Sequence, residues 1–280
     1  MKEENVDLDG EMDEPLEKNI EDKLISSVDT LEKKKIDSKR IRIIDDSRKR
    51  STINSVFDER TLFQLSKIEK NGPLEKIEGI ISAGKEANVY LGYDQEGKEV
   101  AIKIYKIDSN TSRWMRNYIV GDPRFKKVPH NISKIIFLWA SKEFKNLKRA
   151  YTAGLLVPKP VFIKNNILIM EYIGSGANPA PKLKDINDIE DISRLFKEIS
   201  YFIKVLYQKA NLVHGDLSEF NILYHNKQAI FIDVSQSVTT QHPKAEMYLA
   251  RDIKNVFNFF EKLKFDIPDP EEFYYDVINN

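Results

Sequence analysis

The 280-residue chain contains no cysteine, which excludes a disulfide framework and any thiolate metal site. A reducing, cytoplasmic setting is the expectation. Net charge is absent too. The 44 basic and 44 acidic residues cancel, so the overall balance points to no polyanionic partner. Long apolar runs are missing: Ile135 to Ala140 is among the longest and is far too short to span a bilayer, so no membrane partner is expected. The first residues are acidic rather than basic-then-apolar, which gives no sign of a signal peptide. There is no internal repeat.

What is present is enough for a full core: 41% of residues are apolar and 31% charged. The length suits one large domain or two lobes sharing a cleft. Charge is unevenly spread. Residues 1–32 carry twelve acids and three lysines, and residues 33–50 carry nine basic residues and three acids. Residues 1–48 show no sustained periodicity and read as a charged, disordered segment. Beyond them, Val56, Leu62, Leu65 and Ile68 predict a helix that stops at Asn71-Gly72-Pro73. Three antiparallel strands follow, at Ile77 to Ile81, Val89 to Tyr93 and Val100 to Tyr105. Residues 108–131 read as a long loop, because Gly121, Pro123 and Pro129 break any helix. Ile132 to Tyr151 predicts a strong helix. A hairpin from Val161 to Ile173 turns at Asn165-Asn166. Helices are predicted from Ile189 to Ala210, from Pro243 to Leu263 and after Pro270. Strands first and helices later argue for an α+β fold with two lobes: residues 49–173 as an N-terminal helix plus a small lobe, and 174–280 as a mainly helical lobe.

The stretch Leu212-Val-His-Gly-Asp-Leu-Ser-Glu-Phe-Asn221 carries the most chemistry. An aspartate with an asparagine five residues on is what phosphoryl transfer from ATP requires. Asp216 would orient an incoming hydroxyl, and Asn221 would hold a magnesium ion. Twelve residues later an apolar strand ends at Asp233, the expected second metal ligand. Ser82-Ala-Gly84-Lys85-Glu86-Ala-Asn-Val89 lies between two strands and offers small residues where backbone must approach phosphate. Lys103 ends Val-Ala-Ile-Lys, facing the same side as Ala101. Glu143 falls inside the apolar stripe of its helix, with Trp139 and Leu147. Buried there, it needs a cation, and Lys103 is the natural one. Met170-Glu171-Tyr172-Ile173 would join the lobes and offer backbone groups to adenine.

Together these segments resemble the RIO kinase family, an atypical branch of the protein kinases, and most closely its type-one branch. The likeness runs from about Val56 to Leu263, with Ala83 where that branch has threonine. It implies a two-lobed, protein-kinase-like fold with a truncated C-terminal lobe. It also implies ATP and Mg2+ (or Mn2+) as cofactors, Asp216 as catalytic residue, and Asn221 and Asp233 as metal ligands. By the same likeness, Ser82, Gly84, Lys85, Glu86, Val89, Lys103, Glu143, Met170, Glu171 and Ile173 bind the nucleotide, and Asp233 is a second catalytic position that forms a phosphoaspartate in some members. Family members are serine kinases or ATPases acting in late maturation of the small ribosomal subunit, so its precursor, with rRNA and proteins, is the expected partner. Departures from ordinary protein kinases are Gly215 in place of arginine, Asp-Val-Ser in place of D-F-G, and no A-P-E motif. Two rival readings stand beside this one: a small-molecule phosphotransferase of the aminoglycoside or choline kinase kind, and a nucleotide-gated binding module without catalysis. In the 108–131 segment, Arg113, Arg116, Arg124, Lys126 and Lys127 interleave with Trp114, Tyr118 and Phe125, a mixture that suits RNA. Ser109, Thr111 and Ser112 are candidate autophosphorylation sites there, and Lys33 to Arg50 is a second basic segment that could touch RNA.

Overall fold

A computed structural model describes residues 59–279. The expected disorder of residues 1–48 and the basic segment Lys33 to Arg50 lie outside the described residues. Helix α1 (Glu59–Asn71) buries Leu65 and Ile68 on one face and ends where Gly72 donates to Ile68 O. A five-stranded antiparallel sheet follows: β1 (Leu74–Ala83), β2 (Ala87–Asp94), β3 (Glu99–Tyr105), β4 (Pro160–Lys164) and β5 (Ile167–Glu171), in the order β1-β2-β3-β5-β4. The turn between β2 and β3 is set by Asp94, whose side chain accepts from the Glu96 and Lys98 amides.

Between β3 and β4 the chain departs from the sequence expectation. Residues 108–131 are not a continuous loop: Ser109–Ile119 form helix α2. Asp108 caps it, its carboxylate accepting from the Thr111 amide. Thr111, Met115 and Ile119, spaced four apart, form its buried stripe. Gly121, Pro123 and Pro129 do break helical structure, but they do so beyond its last residue.

Helix α3 (Ile132–Thr152) begins at an Asn131 cap and ends at Ala153 and Gly154, the latter at φ +81°. Its inward face packs with Met115 and Ile119 of α2 around Trp139. The C-terminal lobe contains helix α4 (Ile192–Gln208), shorter at both ends than the predicted span because Asp191 caps it and the chain turns at Asn211. It also contains the short strands β6 (Gly174–Ser175) and β7 (Asn178–Pro179), which the sequence reading did not distinguish, and then β8 (Leu212–Val213), β9 (Ile222–His225), β10 (Gln228–Phe231) and β11 (Val238–Thr239). Helices α5 (Ala245–Lys262) and α6 (Pro270–Asn279) complete it. Its core joins Leu195, Ile199 and Phe202 of α4 to Val256, Phe257 and Phe260 of α5. Two pairings, β9 with β10 and β8 with β11, bring the 214–221 and 232–237 segments side by side. Among the described residues no helix is long and apolar enough to cross a membrane.

Candidate active site

Three elements converge on Lys103. Strand β3 carries it inward, where it is 7% exposed. Helix α3 presents Glu143, 1% exposed, with Oε1 accepting from Lys103 Nζ at 2.9 Å. From the other lobe, Asp233 Oδ1 accepts from the same ammonium at 2.9 Å. Burial alone would drive the lysine toward neutrality, but the charges of Asp233 and Glu143 more than offset that and hold its pKa above the usual value. Asp233 shows the converse. Burial pushes its carboxyl up, yet Lys103 and the Ser235 hydroxyl, which donates to Oδ1 at 2.9 Å, hold it well below the usual carboxylate range. For Glu143 burial is the largest influence and raises it, with Lys103 pulling back. Its Oε2 is buried without a hydrogen-bond partner.

Asp233 sits in the left-handed region at φ 59°, ψ 55°. For a residue with a Cβ this conformation is strained, and it persists only where the surroundings enforce it. Here α3 enforces it. Lys142, fully buried, donates to Ser235 O at 2.8 Å and to Ser237 O. Asn146 donates to Val234 O and Ser237 O at 2.8 and 2.9 Å. The same helix therefore positions both Glu143 and the turn that carries Asp233.

The 214–221 loop is held as firmly. Asn221 Nδ2 donates to Asp216 O at 2.7 Å and to Asp216 Oδ2 at 3.3 Å, and Gln236 Nε2 donates to the same Oδ2 at 3.0 Å. Burial and the neighbouring charge of Asp233 raise the Asp216 pKa. Gly215 adopts φ +80°, a conformation that strains any residue with a Cβ, and a Cβ there would press on Gln236 O at 3.1 Å, so this backbone disfavours a side chain at the position where ordinary kinases carry arginine. Asp252 of α5 accepts from the Gly215 and Leu217 amides at 2.7 and 2.9 Å, and Arg251 donates to Gly215 O. His214 is buried, and its pKa falls to about 4 because desolvation outweighs the nearby Asp233 charge.

The remaining expected residues fall at the mouth and roof of this cleft. Ser82, Gly84 and Lys85 lie exposed at the β1–β2 turn. Gly84 donates to Ala87 O at 3.0 Å and accepts from Lys106 Nζ at 2.7 Å. Glu86 is half-buried and faces the carboxylates. Burial first, then Asp233, lifts its pKa to about 7. Val89 and Met170 pack with Ile81 against Leu91, Ala101 and Tyr172, an apolar cluster of the small lobe. The Glu171 side chain turns back to accept from the Lys159 amide, and Ile173 O accepts from Ala180. The sequence reading missed Lys142, Asn146, Gln236 and Asp252. Two of them carried the signal used for Glu143, an ionisable side chain on the buried face of a helix: Lys142 beside Glu143, and Asp252 between Leu249 and Val256.

The α2 region answers differently. Trp114 and Tyr118 pack edge-on against Trp139, Tyr118 also stacks on Tyr248, and Phe125 is buried. Its aromatic rings are therefore part of the core rather than a stacking platform. Thr111 and Ser112 are buried, with hydroxyls donating to Asp108 Oδ2 and Ser109 O, which leaves Ser109 as the exposed hydroxyl of the three.

Residues 88–273 match the RIO domain. The chain belongs to the RIO kinase family. It is 40% identical over 208 residues to the RIO-type serine/threonine-protein kinase Rio1 of Haloferax volcanii, covering 74% of this chain and 71% of that protein. It is 39% identical over 264 residues to the corresponding Methanocaldococcus jannaschii protein, covering 90% and 89%. Longer relatives exist: the chain spans 45% of the Schizosaccharomyces pombe serine/threonine-protein kinase rio1. Among solved structures, the Rio2 kinase–ADP/Mg2+–phosphoaspartate complex from Chaetomium thermophilum is similar with a TM-score of 0.60 and 25% identity, covering 77% of this chain and 64% of that one. The two-lobed kinase-like fold and RIO-type serine/threonine kinase activity follow from family membership, in agreement with the sequence reading.

Proposed function

We propose that this RIO kinase uses ATP with Mg2+, transfers or hydrolyses the γ-phosphate, and works in the cytoplasm on precursors of the small ribosomal subunit. The observation that carries the chemical part is the junction of Lys103, Glu143 and Asp233 beside the Asp216–Asn221 pair. The ribosomal part rests on the family likeness.

The donor set fits a magnesium nucleotide. Asn221 spends its amide N–H on Asp216, which leaves its carbonyl oxygen available, and Asp233 is ionised. Two hard oxygen donors suit Mg2+, which takes its remaining ligands from phosphates and water rather than from an all-protein cage. Among the described residues no cluster of three His, Cys, Asp or Glu side chains forms such a cage. Bound Mg2+ would neutralise charge on the phosphates. Lys103 would place its ammonium against the α- and β-phosphates, with Glu143 fixing its direction. Asp216 would align a serine hydroxyl or a water for attack on the γ-phosphorus and take its proton, which the raised pKa favours. The phosphoaspartate named in the Chaetomium thermophilum complex extends to this chain as part of the proposal. The Asp233 carboxylate attacks the γ-phosphorus, ADP leaves, and water later releases phosphate.

The test incubates the full chain with γ-labelled ATP and Mg2+, with and without small-subunit particles. Free phosphate, hydroxylamine-labile protein label and co-sedimentation are followed. Label and phosphate release support the reading. Binding of ATP with neither product would leave a nucleotide-gated binding module instead.

A further inference from the structure

Two adjoining hollows lie outside the ATP cleft. One, of about 890 Å³, runs along the outer side of α3 and is lined by Arg124, Lys145, Lys148, Arg149 and Lys209. The other, of about 430 Å³, shares Arg124, Arg149 and Asn211 with it and is completed by Thr239, Thr240 and Gln241. Among the described residues no carboxylate lines either one. We infer that this groove binds the phosphodiester backbone of RNA.

Apart from that of Arg124, the charges are unspent. Arg124 is committed, its guanidinium gripping Asp122 and donating to Asn146 Oδ1 at 2.7 Å. Lys148, Arg149 and Lys209 are exposed, and neither they nor Lys145 makes an ion pair with a carboxylate among the described residues. Partial desolvation first, and then the nearby Arg124 charge, depress the Arg149 pKa, with Asp122 pulling the other way. An anion in the groove relieves that repulsion. The walls are also rigid. Arg124 is tied to α3 through Asn146, and the far wall descends from the turn at Asn211, φ 52°.

The lining decides the class of ligand. A docked peptide needs pockets formed by large apolar side chains for its anchors, and among the described lining residues those with wholly apolar side chains are only the small Pro123, Ala153 and Ala210. Beside the cations stand neutral hydrogen-bonding groups with accessible side chains: Asn211, Thr240 and Gln241. Cations for phosphate with hydroxyl and amide groups for the 2′-OH beside them suit RNA. The inference rests on the ribosomal reading only for the source of the RNA, and bare RNA tests it separately.

The experiment measures anisotropy of a labelled mixed-sequence 20-nucleotide RNA with the full chain, without ATP or particles, from 50 to 300 mM KCl. The variant is Lys148→Glu, Arg149→Glu, Lys209→Glu. Each phosphate contact on a single strand contributes about 0.7 to the slope of log affinity against log salt. Losing three contacts flattens that slope by about two and weakens binding at 100 mM salt at least tenfold, with melting temperature and ATP turnover unchanged. A second triple variant, Lys98→Glu, Lys254→Glu, Lys262→Glu, reverses as much charge on exposed sites elsewhere and keeps the slope. If the glutamate set lowers the melting temperature, the glutamine set replaces it. An unchanged slope, or an equal loss in the second variant, overturns the assignment. So does DNA of the same sequence binding equally well, which would make the groove a general polyanion surface. Polyglutamate displacing the RNA as well as unlabelled RNA does would assign the groove to an acidic protein partner. A chain that binds RNA here yet fails to co-sediment with particles loses the ribosomal reading and keeps this one.

Discussion

Asp216 is where the chemistry is most exposed to a single change. On the proposed mechanism, Asp216→Ala removes the group that would align the nucleophile while leaving Lys103 and Asp233 in place. Turnover should fall on the order of 10²-fold or more with ATP affinity retained; single-turnover label transfer and nucleotide titration measure the two separately, and turnover within threefold of wild type would remove Asp216 from the mechanism. Lys103 and Glu143 form a buried pair 2.9 Å apart, so removing either leaves the other uncompensated. In a double-mutant cycle on ATP turnover, Lys103→Ala and Glu143→Ala should be strongly non-additive, and simple additivity refutes the coupling. His214 gives a pH prediction. It is neutral when folded, with a pKa of about 4, and regains its ordinary value near 6.5 on unfolding. Because the folded value is the lower one, the unfolded chain takes up the proton first. Stability is untouched above pH 6.5 and declines as pH falls toward 4, by roughly 2 kcal/mol at pH 5. His214→Phe, which cannot titrate, should lose about that much less between pH 7 and pH 5 in denaturant unfolding than the wild type does; equal losses would place the titrating group elsewhere.

Helix α3 joins three tasks in one turn and a half: Lys142 and Asn146 hold the turn after Asp233, and Glu143 between them holds Lys103. Asn146→Leu deletes two bonds to Val234 O and Ser237 O and one from Arg124. The left-handed conformation of Asp233 should relax, costing roughly 1–3 kcal/mol of stability for the unsatisfied buried groups. Turnover should drop tenfold or more while adenosine, which carries no phosphate to meet Lys103, still binds. Unchanged kcat would show that the turn is self-supporting. At this scale the sequence was legible where one signal ran long. The predicted Ile132 to Tyr151 helix matches α3 within a residue, because an uninterrupted 3.6-residue stripe is bounded by an asparagine cap and a glycine stop. Helix α2 was not legible as a helix. Its eleven residues carry two arginines and only a narrow stripe, and the breakers that follow made the whole segment read as loop. The signal that could have found it was Asp108 as a cap, with Thr111, Met115 and Ile119 each four residues apart.

For the whole molecule, the Lys103–Asp233 ion pair joins the two sides of the cleft, so a ligand bridging them should stabilise the entire fold. A non-hydrolysable ATP analogue with Mg2+ at a hundredfold over its Kd adds about 2.7 kcal/mol, seen as a rise of several degrees in melting temperature. The rise should shrink on chelation and persist in Asp216→Ala. A shift indifferent to the chelator would remove Asn221 and Asp233 as metal ligands. The sequence by itself determined which residue types could do phosphoryl chemistry, because Asp216 and Asn221 lie five apart on one short loop and Asp233 ends a strand. It also implied the Lys103–Glu143 partnership, since a carboxylate inside an apolar helix stripe must find a cation. Only the tertiary structure decided that Asp233 joins that pair from the opposite lobe, 130 residues from the lysine in sequence. It alone also decided that the clamp on the 214–221 loop is Asp252 and that the rings of Trp114 and Tyr118 are spent on the core. These depend on which faces of distant helices meet, and a local pattern constrains which face of a helix is buried without naming what it is buried against.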